Sequence, residues 1–280
     1  MQLKLNLNLN LNLNLKTNLQ LKTQFAIKYP ISVKITFPIF TKNPQMPILT
    51  NFVALITGAT GGIGRQLAHH FAQQGYDLIL LARDSAKLET VAKSLIVKPN
   101  QQVQTLAVDL CDAQAVESKV SALLAALPQL DVLINAAGIF RPGSSRATLS
   151  DFSAMLDTNV TAIHHLCQLC IPALSRAAPG RIFNLSSVSG LQPFGGIAGY
   201  AASKHALVGY SLSLSRELAS QNVRVTVLCP DVVDTEMAKG SGLAPHEMIA
   251  TEDICRAIEF IISLSPAAMV EQLTIGRVRK

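Results

Sequence analysis

The sequence predicts an α/β protein: one doubly wound domain on a parallel sheet of roughly seven strands. Three observations lead there. Short β-branched runs alternate with helical patterns from Phe52 onward; the runs are apolar throughout rather than alternately apolar and polar, as strands covered on both faces are; and no second core, linker or internal repeat interrupts them. The 280 residues, 49% of them hydrophobic, suffice for one large core and exclude a disordered polymer for most of the chain.

The expected strands are Phe52 to Ile56, Asp77 to Leu81, Val103 to Val108, Val132 to Asn135, Arg181 to Leu185, Val223 to Leu228 and Leu273 to Ile275. Helical periodicity fills 63–74, 85–95, 112–127, 150–176, 199–220 and 251–263. Residues 48–280 are taken as the domain. Residues 1–47 are read as a low-complexity Asn/Leu-rich extension, disordered or loosely attached, with Met46 as a candidate true start. A transit peptide is the alternative, but the tract has no Arg and a single Ser, Ser32.

Charge excludes one class of partner. The net +6 arises in residues 1–45, which hold six Lys and no acid, leaving 18 basic and 18 acidic residues downstream. A balanced domain is not expected to bind nucleic acid. No apolar run reaches the roughly 18 residues that a spanning helix needs. Five cysteines without disulfide or zinc spacing, and no recognisable secretory leader, favour a reducing, cytoplasmic setting. Cys167 and Cys170, with His164-His165 upstream, have a metal-like spacing, but inside a helical pattern they read as core, and no metal site is expected. His69, His70 and His205 are likewise assigned to packing or surface.

The segment Thr57-Gly58-Ala59-Thr60-Gly61-Gly62-Ile63-Gly64 falls where the first strand should turn into the first helix. Glycines there allow a tight turn and close approach to a pyrophosphate, which the helix N-terminus favours. Tyr200 and Lys204 are four residues apart in a helical pattern, so they share a face. A tyrosine with an ordinary pKa of about 10 is a poor base; a neighbouring ammonium is expected to lower it.

Together with Asn135-Ala136-Ala137-Gly138, the glycine segment and Tyr200-x-x-x-Lys204 resemble the classical short-chain dehydrogenase/reductase family over nearly all of residues 52–275. The resemblance implies a Rossmann-type domain that moves hydride between a nicotinamide and a carbonyl or alcohol. It makes Tyr200 the acid/base, Lys204 its partner and the binder of the nicotinamide ribose, Ser187 the donor that polarises the carbonyl, and Asn159 part of the water chain behind the lysine. Ser186 and Ser189 are the less favoured serines. On the cofactor it places Gly58, Thr60, Gly61, Gly62, Ile63, Gly64, Asp109, Leu110, Asn135, Ala136, Gly138, Tyr200, Lys204, Pro230, Val233 and Thr235.

Cofactor type follows from charge at the end of the second strand. Ala82 stands where a carboxylate would accept from a ribose 2′-hydroxyl, and Arg83 follows it. A guanidinium there favours NADP(H) over NAD(H), which remains possible; Asp84 beside it argues the other way.

Two departures from the family pattern stand out. Pro230-Asp231 replaces the common Pro-Gly; an Asp tolerates a left-handed backbone, so the turn is expected to survive. The ending Leu273-Thr274-Ile275-Gly276-Arg277 lacks Asp-Gly-Gly, which lowers a role in fatty-acid synthesis. Residues 236–249 are expected to form a lid, with Met237, Leu243 and Met248 facing Phe140 and Phe194 around a small apolar substrate. The expected activity is NADPH-dependent interconversion of a carbonyl and an alcohol. The alternatives are a 3-oxoacyl-thioester reductase and a silent NADP(H)-binding sensor. A homodimer or homotetramer is expected through the Tyr200 helix, where Ala201, Ala202, Ala206 and Gly209 permit close approach.

Overall fold

The computed structural model describes residues 51–278; the N-terminal extension and its proposed start at Met46 lie outside the described residues. Seven strands form one sheet: β1 (Val53–Thr57), β2 (Asp77–Ala82), β3 (Val103–Ala107), β4 (Val132–Asn135), β5 (Gly180–Leu185), β6 (Val223–Pro230) and β7 (Gln272–Ile275). All pair in parallel, in the order β3-β2-β1-β4-β5-β6-β7. The order reverses between β1 and β4, and in open parallel sheets the crevice beyond the strand ends at such a reversal is where ligands bind.

The helices are α1 (Gly62–Gln74), α2 (Ser85–Ser94), α3 (Ala113–Ala125), α4 (Leu149–Leu156), α5 (Ala162–Leu174), α6 (Ala198–Leu218) and α7 (Thr251–Ser263). Alternate residues of each inner strand supply opposite layers, because successive strand side chains point to opposite faces. Val53 and Leu55 of β1 pack with Val120 of α3, Leu166 of α5 and Leu207 of α6. Ala54 and Ile56 pack with Leu67 of α1, Leu88 of α2 and Ile258 of α7. Strands β1, β2, β4 and β5 are nearly wholly buried, which is why they read as unbroken apolar runs.

The helix expected over 150–176 is interrupted. Asp157–Thr161 form a single π-helical turn between α4 and α5, and α5 ends at Leu174. A single π turn inserts one residue and offsets the apolar stripe once, by about 100°, a local shift that helical periodicity taken over the whole stretch averages out. Cys167 and Cys170 are fully buried on α5 within the core, where burial pushes the Cys167 thiol up to about 12 and that of Cys170 up as well. Among the described residues no helix is long and apolar enough to cross a membrane.

Candidate active site

The turn after β1 is built from glycines because backbone must meet backbone there. Gly58 has φ +63°, and a Cβ on it would lie 2.8 Å from the Ala137 backbone; a Cβ on Gly64 would lie 2.2 Å from the Gly58 oxygen. Thr57 fastens the opposite wall, its Oγ1 accepting from the Ala137 N–H at 3.1 Å. The sequence placed Thr57 in the motif without a role. A Cβ on Gly62 would be 2.5 Å from Thr235 Cγ2, so the loop after β6 closes directly over the start of α1.

These elements surround a cavity of about 700 Å³ lined by Gly58, Thr60 to Gly64, Arg83, Asp109, Leu110, Ala136 and Gly138, and by residues not anticipated, Lys87, Cys111 and Arg141. The first N–H groups of a helix have no partner within it and favour an anion, so the opening of α1 suits a phosphate. Arg83 is exposed on this wall. Asp84 is committed elsewhere: its Oδ1 caps α2 by accepting from Lys87 N–H at 3.0 Å, and that backbone bond lowers its pKa.

A second cavity, of about 730 Å³, adjoins the first through Ile63, Ala136 to Ile139, Thr235 and Met237. Ser187, Tyr200, Lys204, Pro230 and Val233 line it. Ser187 begins a short 3₁₀ turn, its Oγ accepting from Ser189 N–H at 3.1 Å. Ser186 also lines the cavity, but its hydroxyl is spent on the Lys204 carbonyl, to which it donates at 3.0 Å, tying the end of β5 to α6. Phe140 packs edge-on against Tyr200, ring centroids 5.1 Å apart. Phe194, Met237 and Leu243 share the wall as expected, whereas Met248 lies off it.

Electrostatics here differ from the expectation. The Tyr200 phenol is not lowered by Lys204; burial pushes it up to about 12, and only a hydrogen bond with Ser187 pulls the other way. The ammonium lies 5.6 Å from the Tyr200 ring centroid and donates to the Leu185 carbonyl at 2.7 Å. Burial brings Lys204 itself down to about 8, opposed by Cys229. Spacing located the pair, but desolvation sets its charge state.

Asn135 and Asn159 stand behind the walls. Asn135 is buried and its amide nitrogen donates to Asn184 Oδ1 at 2.8 Å, joining β4 to β5. It therefore places Ala136–Gly138 rather than lining either cavity. Asn159, in the π turn, accepts from Ile139 N–H at 2.8 Å and donates to the Ile139 carbonyl and Ser203 Oγ, each at 3.0 Å. Ser203 in turn donates to the Tyr200 carbonyl at 2.8 Å. One buried amide thus ties the loop after β4 to the Tyr200 helix, a positioning role.

Asp231 does not take a left-handed conformation, since among the described non-glycine residues only Asn222 has positive φ. Its N–H donates to the Ile275 carbonyl at 2.8 Å and its Oδ1 accepts from Val232 N–H at 2.9 Å. The segment it opens is pinned at the base by Ile249, which bonds Val232 and Asp234, and contains short 3₁₀ turns at Glu236–Ala238 and Pro245–Glu247.

A glycine turn under a parallel sheet's reversal point, facing a Ser, Tyr and Lys cluster, defines a dinucleotide-binding oxidoreductase. The chain belongs to the short-chain dehydrogenase family, whose model matches residues 52–245. An uncharacterized oxidoreductase of Staphylococcus epidermidis is 30% identical over 226 residues, 80% of this chain and 96% of that protein. A 3-oxoacyl-(acyl-carrier-protein) reductase of Chlamydia trachomatis is 33% identical over 193 residues, 69% of this chain and 78% of that one. Among solved structures, an alcohol dehydrogenase of the archaeon Thermococcus sibiricus complexed with 5-hydroxy-NADP superposes with a TM-score of 0.72 at 26% identity, covering 81% of this chain and 96% of the other.

Proposed function

We propose that the protein uses NADPH to reduce a ketone or aldehyde to an alcohol. The observation that carries this reading is the placement of Ser187, Tyr200 and Lys204 on one cavity that opens into the glycine-lined one. The nucleotide fits the first cavity, with its phosphates at the start of α1, its adenine beside Asp109 and Leu110, and its 2′-phosphate by Arg83. Cofactor chemistry supplies the hydride. Tyr200 donates the proton to the carbonyl oxygen, and Ser187 donates a hydrogen bond to the same oxygen as charge builds on it. Lys204 holds the ribose and keeps positive charge behind the phenol. A phenol held up near 12 is fully protonated at neutral pH, which suits the reducing direction.

Steady-state rates at 340 nm with NADPH and NADH test the cofactor assignment. Arg83→Ala is expected to lower kcat/KM for NADPH by about 10- to 100-fold, the worth of charge-assisted hydrogen bonds, with little change for NADH. A wild-type preference for NADH would refute it. The Chlamydia relative favours a second reading, reduction of 3-oxoacyl thioesters, which activity on acetoacetyl thioesters would establish. The ending at Arg277, without Asp-Gly-Gly, weighs against it.

Assembly through α6 is part of the same proposal. Ala202, Ala206 and Gly209 lie exposed along its outer face, while Ala201 is partly buried. Nothing lies within 4 Å of a Cβ placed on Gly209, so a large side chain there leaves the fold intact and blocks a second helix. Gly209→Arg is expected to convert the oligomer to monomer in sedimentation velocity; a monomeric wild type would end the idea.

A further inference from the structure

The two departures of this chain from its family's pattern meet in space. Asp231 follows β6 and Arg277 follows β7, and these strands are parallel neighbours with Pro230 opposite Ile275. Their ends therefore bring both side chains to the same rim. Arg277 Nε lies 3.4 Å from Asp231 Oδ2, with only 20% and 10% of the two side chains exposed, and both residues line the cavity that holds Tyr200.

The guanidinium is poorly satisfied for a group so placed. Nε is close enough to Asp231 to pair but is not aligned for a hydrogen bond, and it is buried with no such partner among the described residues. The contact of Nη1 with the Glu247 carbonyl is long, at 3.5 Å. Asp231, by contrast, spends Oδ1 on Val232 N–H and turns Oδ2 to the arginine. A planar fork with five N–H donors, largely unspent in a ligand-sized cavity, is a receptor for a carboxylate-like group.

Charge around the two cavities points the same way. The Tyr200 cavity is lined by three cations, Lys204, Lys239 and Arg277, against the single carboxylate of Asp231. The glycine-lined cavity has Arg83, Lys87 and Arg141 against Asp84, Asp109, Asp157 and Glu236. Positive excess therefore lies on the substrate side; Lys204 is spent on the Leu185 carbonyl beside Tyr200, and Lys239 is exposed and paired with Glu236, which leaves Arg277 as the enclosed cation outside the Tyr200–Lys204 pair.

We propose that Arg277, held by Asp231, selects a carbonyl substrate bearing an anionic group such as a carboxylate. The apolar side chains of Phe140, Phe194 and Leu243 then cover the carbon chain between the carbonyl and that group. This rests on the carbonyl-reductase reading above and revises the expectation of a purely apolar substrate.

The test compares 4-oxobutanoate with butanal, its uncharged counterpart, at saturating NADPH. Wild-type kcat/KM is expected to favour the acid by about tenfold or more, mostly through KM. In Arg277→Gln the ratio is expected to fall to about 1, and in Arg277→Lys to lie between. A ratio near 1 in the wild type, or one unchanged in the Gln variant while both rates drop, would mean that Arg277 is only a latch for the loop. If neither compound is reduced, titration of butanoate and butanamide into the NADPH complex, followed by nicotinamide fluorescence, decides. Tighter binding of butanoate, lost in the Gln variant, supports the proposal, and equal or absent binding overturns it. An absent NADPH signal sinks the oxidoreductase reading as well, so the two failures are told apart.

Discussion

Tyr200→Phe is expected to lower kcat for carbonyl reduction by about 10²- to 10⁴-fold while NADPH still binds, because only the transferable proton is removed. The ring remains to pack against Phe140, whose edge-to-face contact is with carbons the substitution keeps. The hydroxyl's hydrogen bond with Ser187 is lost, but Ser187 Oγ stays fixed by Ser189 N–H. Folding and cofactor affinity are therefore expected to change little, and urea melts and NADPH fluorescence titrations measure them. Retention of more than about a tenth of the wild-type rate would move the proton donor elsewhere. Loss of NADPH binding would mean that the phenol serves the nucleotide rather than the reaction.

The frame of this molecule was legible because parallel strands buried on both faces leave continuous apolar runs, and because Gly58 and Gly64 occupy positions where a Cβ collides with backbone. Two things were not, the π turn and the Asp231–Arg277 pair. The π turn around Asn159 offsets the apolar stripe only once, between two helical patterns that are regular on either side, so periodicity over the stretch does not mark it. The family resemblance already gives the Asn135–Gly138 segment a part in stabilising the central sheet, and the structure adds only the partner, Asn184, which is visible once β4 and β5 are adjacent. The Asp231–Arg277 pair joins residues far apart in the chain, each noted separately as a departure, and their meeting depends on β6 and β7 ending side by side. Local spacing identifies which groups share a helix face; it contains neither burial nor cross-strand adjacency, and those decide charge and contact.

The lysine shows what burial adds. Lys204 is held down near 8 from its ordinary 10.5 chiefly by desolvation, so the folded protein gives up this proton about 2.5 pH units before the unfolded chain does. Between these values the unfolded state binds more protons, and stability from this group rises with pH, by about 1.4 kcal/mol per unit at most. Below pH 8 the charged form is present in both states and the desolvation cost is felt in full. Replacing the group with Lys204→Met removes that dependence along with the bond to Leu185. In urea melts the wild type is therefore expected to gain on the Met variant by roughly 2 to 3 kcal/mol between pH 7 and pH 10.5. Activity is expected to follow the opposite course. If the ammonium is what holds the ribose and supports the phenol, kcat/KM for reduction falls as pH passes about 8, long before Tyr200 near 12 can ionise. On the proposed mechanism the charge that costs stability at neutral pH is the one the reaction uses, so Lys204→Met is expected to be inactive at every pH. A stability difference that stays flat from pH 7 to 10.5 would show Lys204 to be solvated in the free protein. An alkaline limb displaced toward 10.5 would say the same from the kinetic side.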